Sequence, residues 1–338
     1  MTDTTIPTAR LGAAGPEVGV QGLGCMGMSF AYGPADAKQS RAALDRAFAL
    51  GVTLYDTADA YGVGENERFL SPFFNAHRDE LVIATKFALS IPPDEPTRRV
   101  IRNDRPYIRQ AVEASLQRLG IDVIDLYYMH RRDPAVPIED TVGAMAELVA
   151  EGKVKHLGLS EVTGAELRAA HAVHPVAAVQ SEWSLFSRDV EISLVGAAAE
   201  LGVAVVPYSP LGRGFLTGSF ANADQDLTEG DFRRTQPRFT GENAAANATL
   251  LDPVRTVAEA HGASLGQIAL AWVQQRSQVH GLPVIPIPGT TKPGRVEENT
   301  AATRIVLTDD ELSLLEPIAG KVAGDRYADM TFTSSNRE

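Results

Sequence analysis

The sequence of 338 residues is poor in three features, and each shortage excludes a class of protein. Its one cysteine, Cys25, excludes an internal disulfide framework and suits a reducing compartment. Long apolar runs are missing too, since no stretch reaches the roughly 18 apolar residues of a membrane-spanning helix. Positive charge is scarce, and a net charge of −12 argues against nucleic acid or an anionic membrane as the main partner. The first residues, MTDTTIPTAR, do not have the pattern of a secretory signal, so we expect a cytoplasmic protein.

What the sequence does contain is a regular alternation of short apolar strands and helical segments. The candidate strands lie at 18–24, 52–56, 81–86, 125–130, 156–160, 177–182, 203–209 and 283–289. Segments with helical periodicity, such as RPYIRQAVEASLQRLG, lie between them. Strands joined by helices pair in parallel, and eight of them close a barrel. We therefore predict one (β/α)8 barrel domain over residues 1–338, with an open, doubly wound α/β sheet as the alternative.

Polar residues end three of the predicted strands, where a purely structural strand needs none. Asp56 ends VTLYD, Lys86 ends LVIATK and His130 ends DLYYMH. Tyr61 follows Asp56 by five residues in the loop DTADAYG. In a closed parallel barrel all strand carboxyl ends open on one rim, where active sites are built. These side chains are therefore expected to converge.

Together the four residue types suit the reduction of a carbonyl group. A carbonyl that accepts hydride develops negative charge on oxygen and needs a nearby proton donor. Tyr61 would be that donor, and the positive charge of Lys86 would lower its ordinary pKa of about 10. Asp56 would hold Lys86 in place, and His130 would orient and polarise the carbonyl oxygen. Taken singly, each residue also has a structural interpretation, as an ion pair or a satisfied buried histidine; the four together favour chemistry.

Two other patterns point to sites that we do not expect. Residues 22–27, GLGCMG, match the glycine pattern of dinucleotide-binding turns, and Asp45 lies about 20 residues further on. However, Gly33-Pro34 prevents the helix that such a turn requires directly after its glycines. His171 and His174 lie three residues apart, but no other Cys or His has ligand spacing. We therefore expect neither a dinucleotide-binding turn at 22–27 nor a metal site.

Two segments depart from the alternation of strands and helices. Residues 213–247 are polar, rich in Gly, Asn and Asp, and have no clear period. A long loop of this kind in a compact domain is usually functional or disordered. Because it follows the seventh strand, we interpret it as a lid over a bound ligand. Residues 325–338 are expected to form a flexible tail.

Several stretches of the sequence resemble the aldo-keto reductases, a family of NADPH-dependent (β/α)8 barrels. They are DTADAYG (56–62), TKF (85–87), DLYYMH (125–130), GKVKHLGLS (152–160), VVPYSPLGRG (205–214) and IPGTTKPGRVEEN (287–299). The resemblance covers nearly the whole chain. It implies that Tyr61 is the general acid, Lys86 modulates its pKa, Asp56 pairs with Lys86 and His130 orients the substrate.

The segment after the last strand suggests an anion site. GTTKPGR (289–295) places two cations and two hydroxyls past an apolar strand in an acidic chain, although a solvated surface loop is the alternative. By the resemblance, Gly289, Thr290, Lys292 and Arg295 would grip the adenosine 2′-phosphate, with Glu298 and Asn299 near the adenine. This interpretation favours NADPH over NADH.

The resemblance implies further contacts with the nicotinamide and the pyrophosphate. Tyr208 would stack on the nicotinamide, and Ser160 and Gln180 would hold its carboxamide. Glu161 departs from the family pattern, because many members have Asn after that serine. The other residues expected at the cofactor are Ser209, Pro210, Leu211, Gly212, Gly214 and Thr217.

The sequence therefore predicts an NADPH-dependent, metal-independent oxidoreductase that reduces aldehydes or ketones. Its expected partner is a small carbonyl compound, and a monomer or a homo-oligomer is compatible with the sequence. A slow-turnover redox sensor that binds the nucleotide, like the related potassium-channel β subunits, is the alternative. The four intact site residues favour the enzyme.

Overall fold

The structure, a computed structural model, describes residues 5–29, 31–90 and 100–337. Its strands are β1 (Thr8–Arg10), β2 (Glu17–Gly19), β3 (Leu23–Gly24), β4 (Leu54–Asp56), β5 (Val82–Phe87), β6 (Leu89–Ser90), β7 (Val100–Ile101), β8 (Ile124–Met129), β9 (Val154–Ser160), β10 (Val176–Glu182) and β11 (Ala204–Tyr208). Its helices are α1 (Ala37–Ala49), α2 (Glu65–Ala76), α3 (Arg105–Leu119), α4 (Ile138–Ala150), α5 (Gly164–Val173), α6 (Leu194–Leu201), α7 (Ala223–Asp226), α8 (Gly241–Thr249), α9 (Asp252–His261), α10 (Leu265–His280), α11 (Pro293–Ala301) and α12 (Asp309–Leu315).

A parallel sheet in the order β11-β10-β9-β8-β5-β4-β3 forms the centre of the molecule, with helices packed around it. The segment 283–289 lies between β11 and β3 and closes the sheet. Val284 bridges to Val205, and Gly289 bridges to Gly24, both in parallel. The predicted single-domain (β/α)8 barrel is thereby confirmed.

Two of the predicted barrel strands are shorter than the sequence indicated. Segment 283–289 makes isolated bridges, because the prolines at 283, 286 and 288 have no N–H to donate to a continuous ladder. The predicted strand 18–24 is divided, since Glu17–Gly19 pairs antiparallel with β1 and only β3 joins the barrel. Val18 and Leu11 of this hairpin pack with the apolar side chains of the barrel interior. The hairpin therefore covers one end of the barrel and does not extend its wall.

The two irregular segments are more ordered than the sequence suggested. Residues 213–247 fold into short helical turns that include α7 and the start of α8, instead of a loop without structure. Asp231 and Asn222 begin two of these turns by accepting hydrogen bonds from backbone N–H groups. Residues 325–337, expected to be a flexible tail, instead contribute the buried side chains of Arg326 and Thr333 to contacts with the barrel.

The patterns that we set aside in the sequence lie in ordinary structural elements. A 3-10 helix, Met26–Met28, follows the glycines at 22–24, and Asp45 lies within α1. His171 lies in the last turn of α5, and His174 caps its end. Within the described residues, no three His, Cys, Asp or Glu side chains are placed to hold a metal ion. The same part of the chain has no helix that is long and apolar enough to cross a membrane.

Candidate active site

The four polar residues predicted from strand ends lie together at the carboxyl end of the barrel. The ammonium group of Lys86, on β5, forms an ion pair with Asp56 at the end of β4. Its Nζ also donates to the Thr57 carbonyl oxygen at 2.9 Å and to the Tyr61 hydroxyl at 3.4 Å. The His130 ring, just after β8, stands edge-on to the Tyr61 ring, with 5.8 Å between the ring centroids. This arrangement brings a phenol hydroxyl to an ammonium and the phenol ring to an imidazole.

Burial and charge act in opposite directions on the pKa values of Lys86 and Tyr61. Burial is the largest single effect and lowers the pKa of Lys86, but the charges of Asp56 and Tyr61 and the hydrogen bonds with them together raise it, so that the net shift is upward. For Tyr61, burial raises the pKa and the charge of Lys86 lowers it, and burial dominates. Lys86 thus lowers the pKa of Tyr61, as the sequence predicted, while burial keeps the phenol protonated at neutral pH.

Neighbouring strands fix the position of this group from below. Gln180 on β10 donates to the second oxygen of Asp56 at 2.8 Å. The buried ring of Tyr128 lies under Lys86, with 6.0 Å from the ammonium to the ring centroid. Gly158 on β9 leaves room for that ring, because a Cβ at this position would lie 2.4 Å from two Tyr128 ring carbons. The rigid strands therefore hold the polar group without a flexible loop.

A cavity of about 1580 Å³ opens above these residues. Its lining includes Asp56, Tyr61 and His130 and also Lys292 and Arg295. The other predicted cofactor residues that line it are Gln180, Tyr208, Ser209, Pro210, Leu211, Gly214, Thr217, Gly289, Thr290, Glu298 and Asn299.

Three predicted site residues do not line the cavity. Lys86 lies beneath Asp56 and Tyr61, and reaches the cavity through the Tyr61 hydroxyl. Ser160 is fully buried and contacts the cavity-lining Arg131. Gly212 is buried in the turn after β11, with a left-handed φ of 54°.

The part of the cavity lining at the start of α11 has the groups that a phosphate monoester requires. Lys292 caps the amino terminus of α11, and Arg295 lies in its first turn. Both side chains are exposed beside the hydroxyl of Thr290. A helix amino terminus with cations and hydroxyls favours an anion. The donor set and the volume of the cavity therefore fit a phosphorylated dinucleotide.

Glu161 is bound to the carboxyl-terminal segment, a contact that the sequence did not indicate. Both nitrogens of the Arg326 fork donate to its carboxylate, at 3.1 and 3.2 Å. The Tyr208 hydroxyl donates at 2.7 Å, and the Ser334 N–H donates at 3.1 Å. Burial alone would raise the pKa of Glu161, but the charges of Arg326 and Arg131 lower it to about 2. Glu161 thus ties the predicted nicotinamide platform, Tyr208, to the last residues of the chain.

Arg131 is a second site residue that the sequence analysis missed. Its guanidinium donates to the His130 carbonyl oxygen at 3.0 Å and to the Ser160 hydroxyl at 3.3 Å. It also lies 5.9 Å from the centroid of the Tyr208 ring. Its position directly after His130 was the one feature of the sequence that could have indicated a place in the site. Arg326 offered none, because it lies 165 residues from Glu161 in the sequence.

Comparisons with known proteins agree with this geometry. The solved glycerol dehydrogenase of Gluconobacter oxydans is 26% identical, with a TM-score of 0.82 over 98% of this chain and all of that one. A thermostable aldo-keto reductase solved with the inhibitor epalrestat is 27% identical, with a TM-score of 0.72 over 93% of this chain and all of that one. An aldo/keto reductase of Klebsiella pneumoniae, solved with NADP and acetate, is 24% identical, with a TM-score of 0.69 over 96% of this chain and 98% of that one.

The sequence comparisons establish the family. A curated relative, the probable aldo-keto reductase 1 of Glycine max, is 41% identical over 333 residues, which are 97% of this chain and 93% of that protein. The model of the aldo/keto reductase family matches residues 22–319. Both results confirm the resemblance seen in the sequence motifs. The chain therefore belongs to the aldo/keto reductase family, whose cofactor is NADP(H).

Proposed function

We propose that this chain reduces aldehyde or ketone carbonyls to alcohols, with hydride from NADPH and Tyr61 as the general acid. The observation that carries this proposal is the chain of contacts from Asp56 through Lys86 to the Tyr61 hydroxyl, beside a large cavity. The His130 ring stands edge-on to the Tyr61 ring and lines the same cavity. A proton donor, a charge that stabilises its anion and an orienting ring are thus available at one point.

Each of these residues has a distinct part in the proposed reaction. The bound cofactor supplies the hydride, and the carbonyl oxygen gains negative charge. Tyr61 donates its proton to that oxygen, and Lys86 stabilises the phenolate that Tyr61 becomes. Asp56 keeps Lys86 charged within the buried site. His130 orients the carbonyl oxygen toward Tyr61.

The cofactor contacts complete the proposal. Lys292 and Arg295 hold the 2′-phosphate, with Thr290 beside them, and Asn299 lies near the adenine. Tyr208 would stack on the nicotinamide, and residues 212–217 would bind the pyrophosphate. The cavity that joins these groups to Tyr61 supports this placement. A cytoplasmic location, predicted from the sequence, belongs to the same proposal.

The variant Tyr61→Phe tests the proton donor. We expect its turnover to fall by about 10²- to 10⁴-fold, the usual contribution of a general acid. NADPH affinity, followed by fluorescence titration, should stay unchanged because the ring remains. The matched control is Tyr55→Phe, which removes a buried hydroxyl that donates to the Leu44 carbonyl oxygen away from the cavity. Near-normal turnover of Tyr61→Phe would refute the mechanism.

Steady-state NADPH consumption tests the activity itself. The panel comprises aromatic aldehydes, diketones and pyridoxal. We expect multiple turnovers of at least one compound, at a typical enzymatic rate of about 1 s⁻¹ or more. Rates far below this value for every compound, with tight NADPH binding, would favour the slow redox sensor instead.

A further inference from the structure

We propose that Arg131 binds the carboxamide oxygen of the nicotinamide, in the position where many family members use the asparagine that Glu161 replaces. The inference deepens the proposed function, since it rests on the placement of the nicotinamide at Tyr208. It is drawn from three observations: the contacts of Glu161, the unused donors of Arg131, and the neighbours of Arg131 in the cavity.

Glu161 has no capacity left for the carboxamide. Its carboxylate accepts two bonds from Arg326, one from the Tyr208 hydroxyl and one from the Ser334 N–H. A carboxylate has about four acceptor positions, so these donors occupy it fully. The side chain is completely buried and does not line the cavity. A contact with the carboxamide must therefore come from another residue.

Arg131 has donors that the protein leaves unused. A guanidinium carries five N–H donors, and the two bonds that Arg131 makes both come from one terminal nitrogen. Among the described residues, no other bond satisfies its remaining nitrogens, and no carboxylate lies within ion-pair distance. Arg131 is half-buried and lines the cavity. The remaining N–H donors of Arg131 are therefore available to an acceptor in the cavity.

The neighbours of Arg131 identify that acceptor as an oxygen on the nicotinamide. Arg131 lies beside the ring of Tyr208, the residue proposed to stack on the nicotinamide, and both line the cavity together with Gln180. A ring stacked on Tyr208 brings its carboxamide next to Arg131. The carboxamide oxygen then accepts from Arg131, and the amide nitrogen is left to donate to the side-chain oxygen of Gln180.

Calorimetric titration of Arg131→Met tests the inference with three ligands. NADP⁺ should bind roughly 10- to 100-fold more weakly, the loss expected for a charge-assisted hydrogen bond. The affinity for the 3-acetylpyridine analogue of NADP⁺ should fall by the same factor, because this analogue keeps the carbonyl oxygen and lacks only the amide nitrogen. Adenosine 2′,5′-bisphosphate, which has no nicotinamide, should bind as it does to the wild type.

The neighbouring Arg132→Met is the matched control. Arg132 lies close to Glu166, at 3.5 Å, and does not line the cavity, so its removal should leave all three affinities unchanged. If Arg131→Met does not fold, Arg131→Lys replaces it, and a smaller loss confined to the two nicotinamide ligands is expected. Thermal unfolding of each variant reports on folding.

Two results would overturn the inference. One is an NADP⁺ affinity of Arg131→Met that equals that of the wild type. If this variant also reduces carboxylated aldehydes more slowly, Arg131 binds the substrate instead of the nicotinamide. The other is an equal loss for adenosine 2′,5′-bisphosphate, which would indicate a general electrostatic effect. Both results are independent of the Tyr61→Phe experiment, so failure of the catalytic proposal is recognised separately.

Discussion

At the residue scale, Lys86 is a completely buried ammonium whose charge is balanced by the carboxylate of Asp56. We expect Asp56→Asn to destabilise the fold by about 3–5 kcal/mol, because it leaves the ammonium buried and unpaired. Its turnover should also fall sharply, since the pKa of Lys86 drops when the charge that raises it is removed. Urea unfolding and kcat at neutral pH measure the two effects.

Asp125→Asn provides the matched control. Asp125 is also a buried carboxylate, paired with Arg78 and Lys155, but it does not line the cavity. Its loss should lower stability and leave kcat per folded molecule intact. If both variants keep kcat, Asp56 contributes only to folding.

The residues that sequence analysis could identify are those whose type conflicts with their local context. Asp56, Lys86 and His130 were recognisable because a charged or ionisable group ends an apolar strand. Arg131 was not, because an arginine after a strand is an ordinary surface residue until its contacts are known. Glu161 and Arg326 come together through the fold alone, since no local pattern joins residues so far apart.

At the scale of single elements, β9 depends on the absence of a side chain at Gly158. We expect Gly158→Ala to cost about 1–3 kcal/mol, because its methyl group would collide with the Tyr128 ring. The displaced ring lies under Lys86, so kcat should fall as well. Urea unfolding and steady-state kinetics measure these changes.

A glycine on α4 supplies the opposite case. Nothing lies within 4 Å of a Cβ built at Gly143, inside that helix. Gly143→Ala should stabilise the fold by about 0.5–1 kcal/mol, because alanine loses less backbone entropy in a helix. If Gly158→Ala were equally stabilising, the packing argument for Tyr128 would be wrong.

The carboxyl-terminal segment should contribute stability that depends on pH through Glu161. Its pKa is about 2 in the folded state, against an ordinary value near 4.5. The stabilisation is therefore fully present above about pH 5 and is lost as the pH falls toward 2, since the lowered pKa favours the charged, folded form. A shift of this size corresponds to about 3 kcal/mol.

Denaturant unfolding of the wild type and Glu161→Gln from pH 7 to pH 3 measures this contribution. The difference between them should be largest at pH 7 and shrink on acidification. Glu166→Gln is the control, because Glu166 binds Arg337 of the same segment without contacting Tyr208. A difference for Glu161→Gln that is constant with pH would contradict the assignment.

Elements were predicted well where periodicity was strong and poorly where proline or side-chain caps decided the structure. The strands at 125–130 and 177–182 are near their predicted bounds, and every residue of β8 and β10 is buried. The last strand is reduced to bridges by its prolines. Residues 213–247 have no apolar period, so their short turns, begun by residues such as Asp231, were not recognisable.

At the scale of the whole molecule, an acidic chain has two exposed cations close together in the lining of its cavity. The net charge is −12, yet Lys292 and Arg295 stand together at the amino terminus of α11. The positive potential around these two side chains attracts a phosphate, while the negative charge on the rest of the surface repels anions. The site should therefore distinguish NADPH from NADH by charge.

The double variant Lys292→Ala with Arg295→Ala tests this discrimination. We expect NADPH affinity to fall by roughly 100-fold, because two charge-assisted contacts are lost. NADH, which lacks the 2′-phosphate, should bind nearly as before. The preference of the wild type for NADPH over NADH should weaken as salt is added.

Arg46→Ala is the control, since Arg46 pairs with Glu297 of α11 and does not line the cavity. Fluorescence titration with both nucleotides measures the result, and an equal loss for NADPH and NADH would refute the assignment of the 2′-phosphate to these cations.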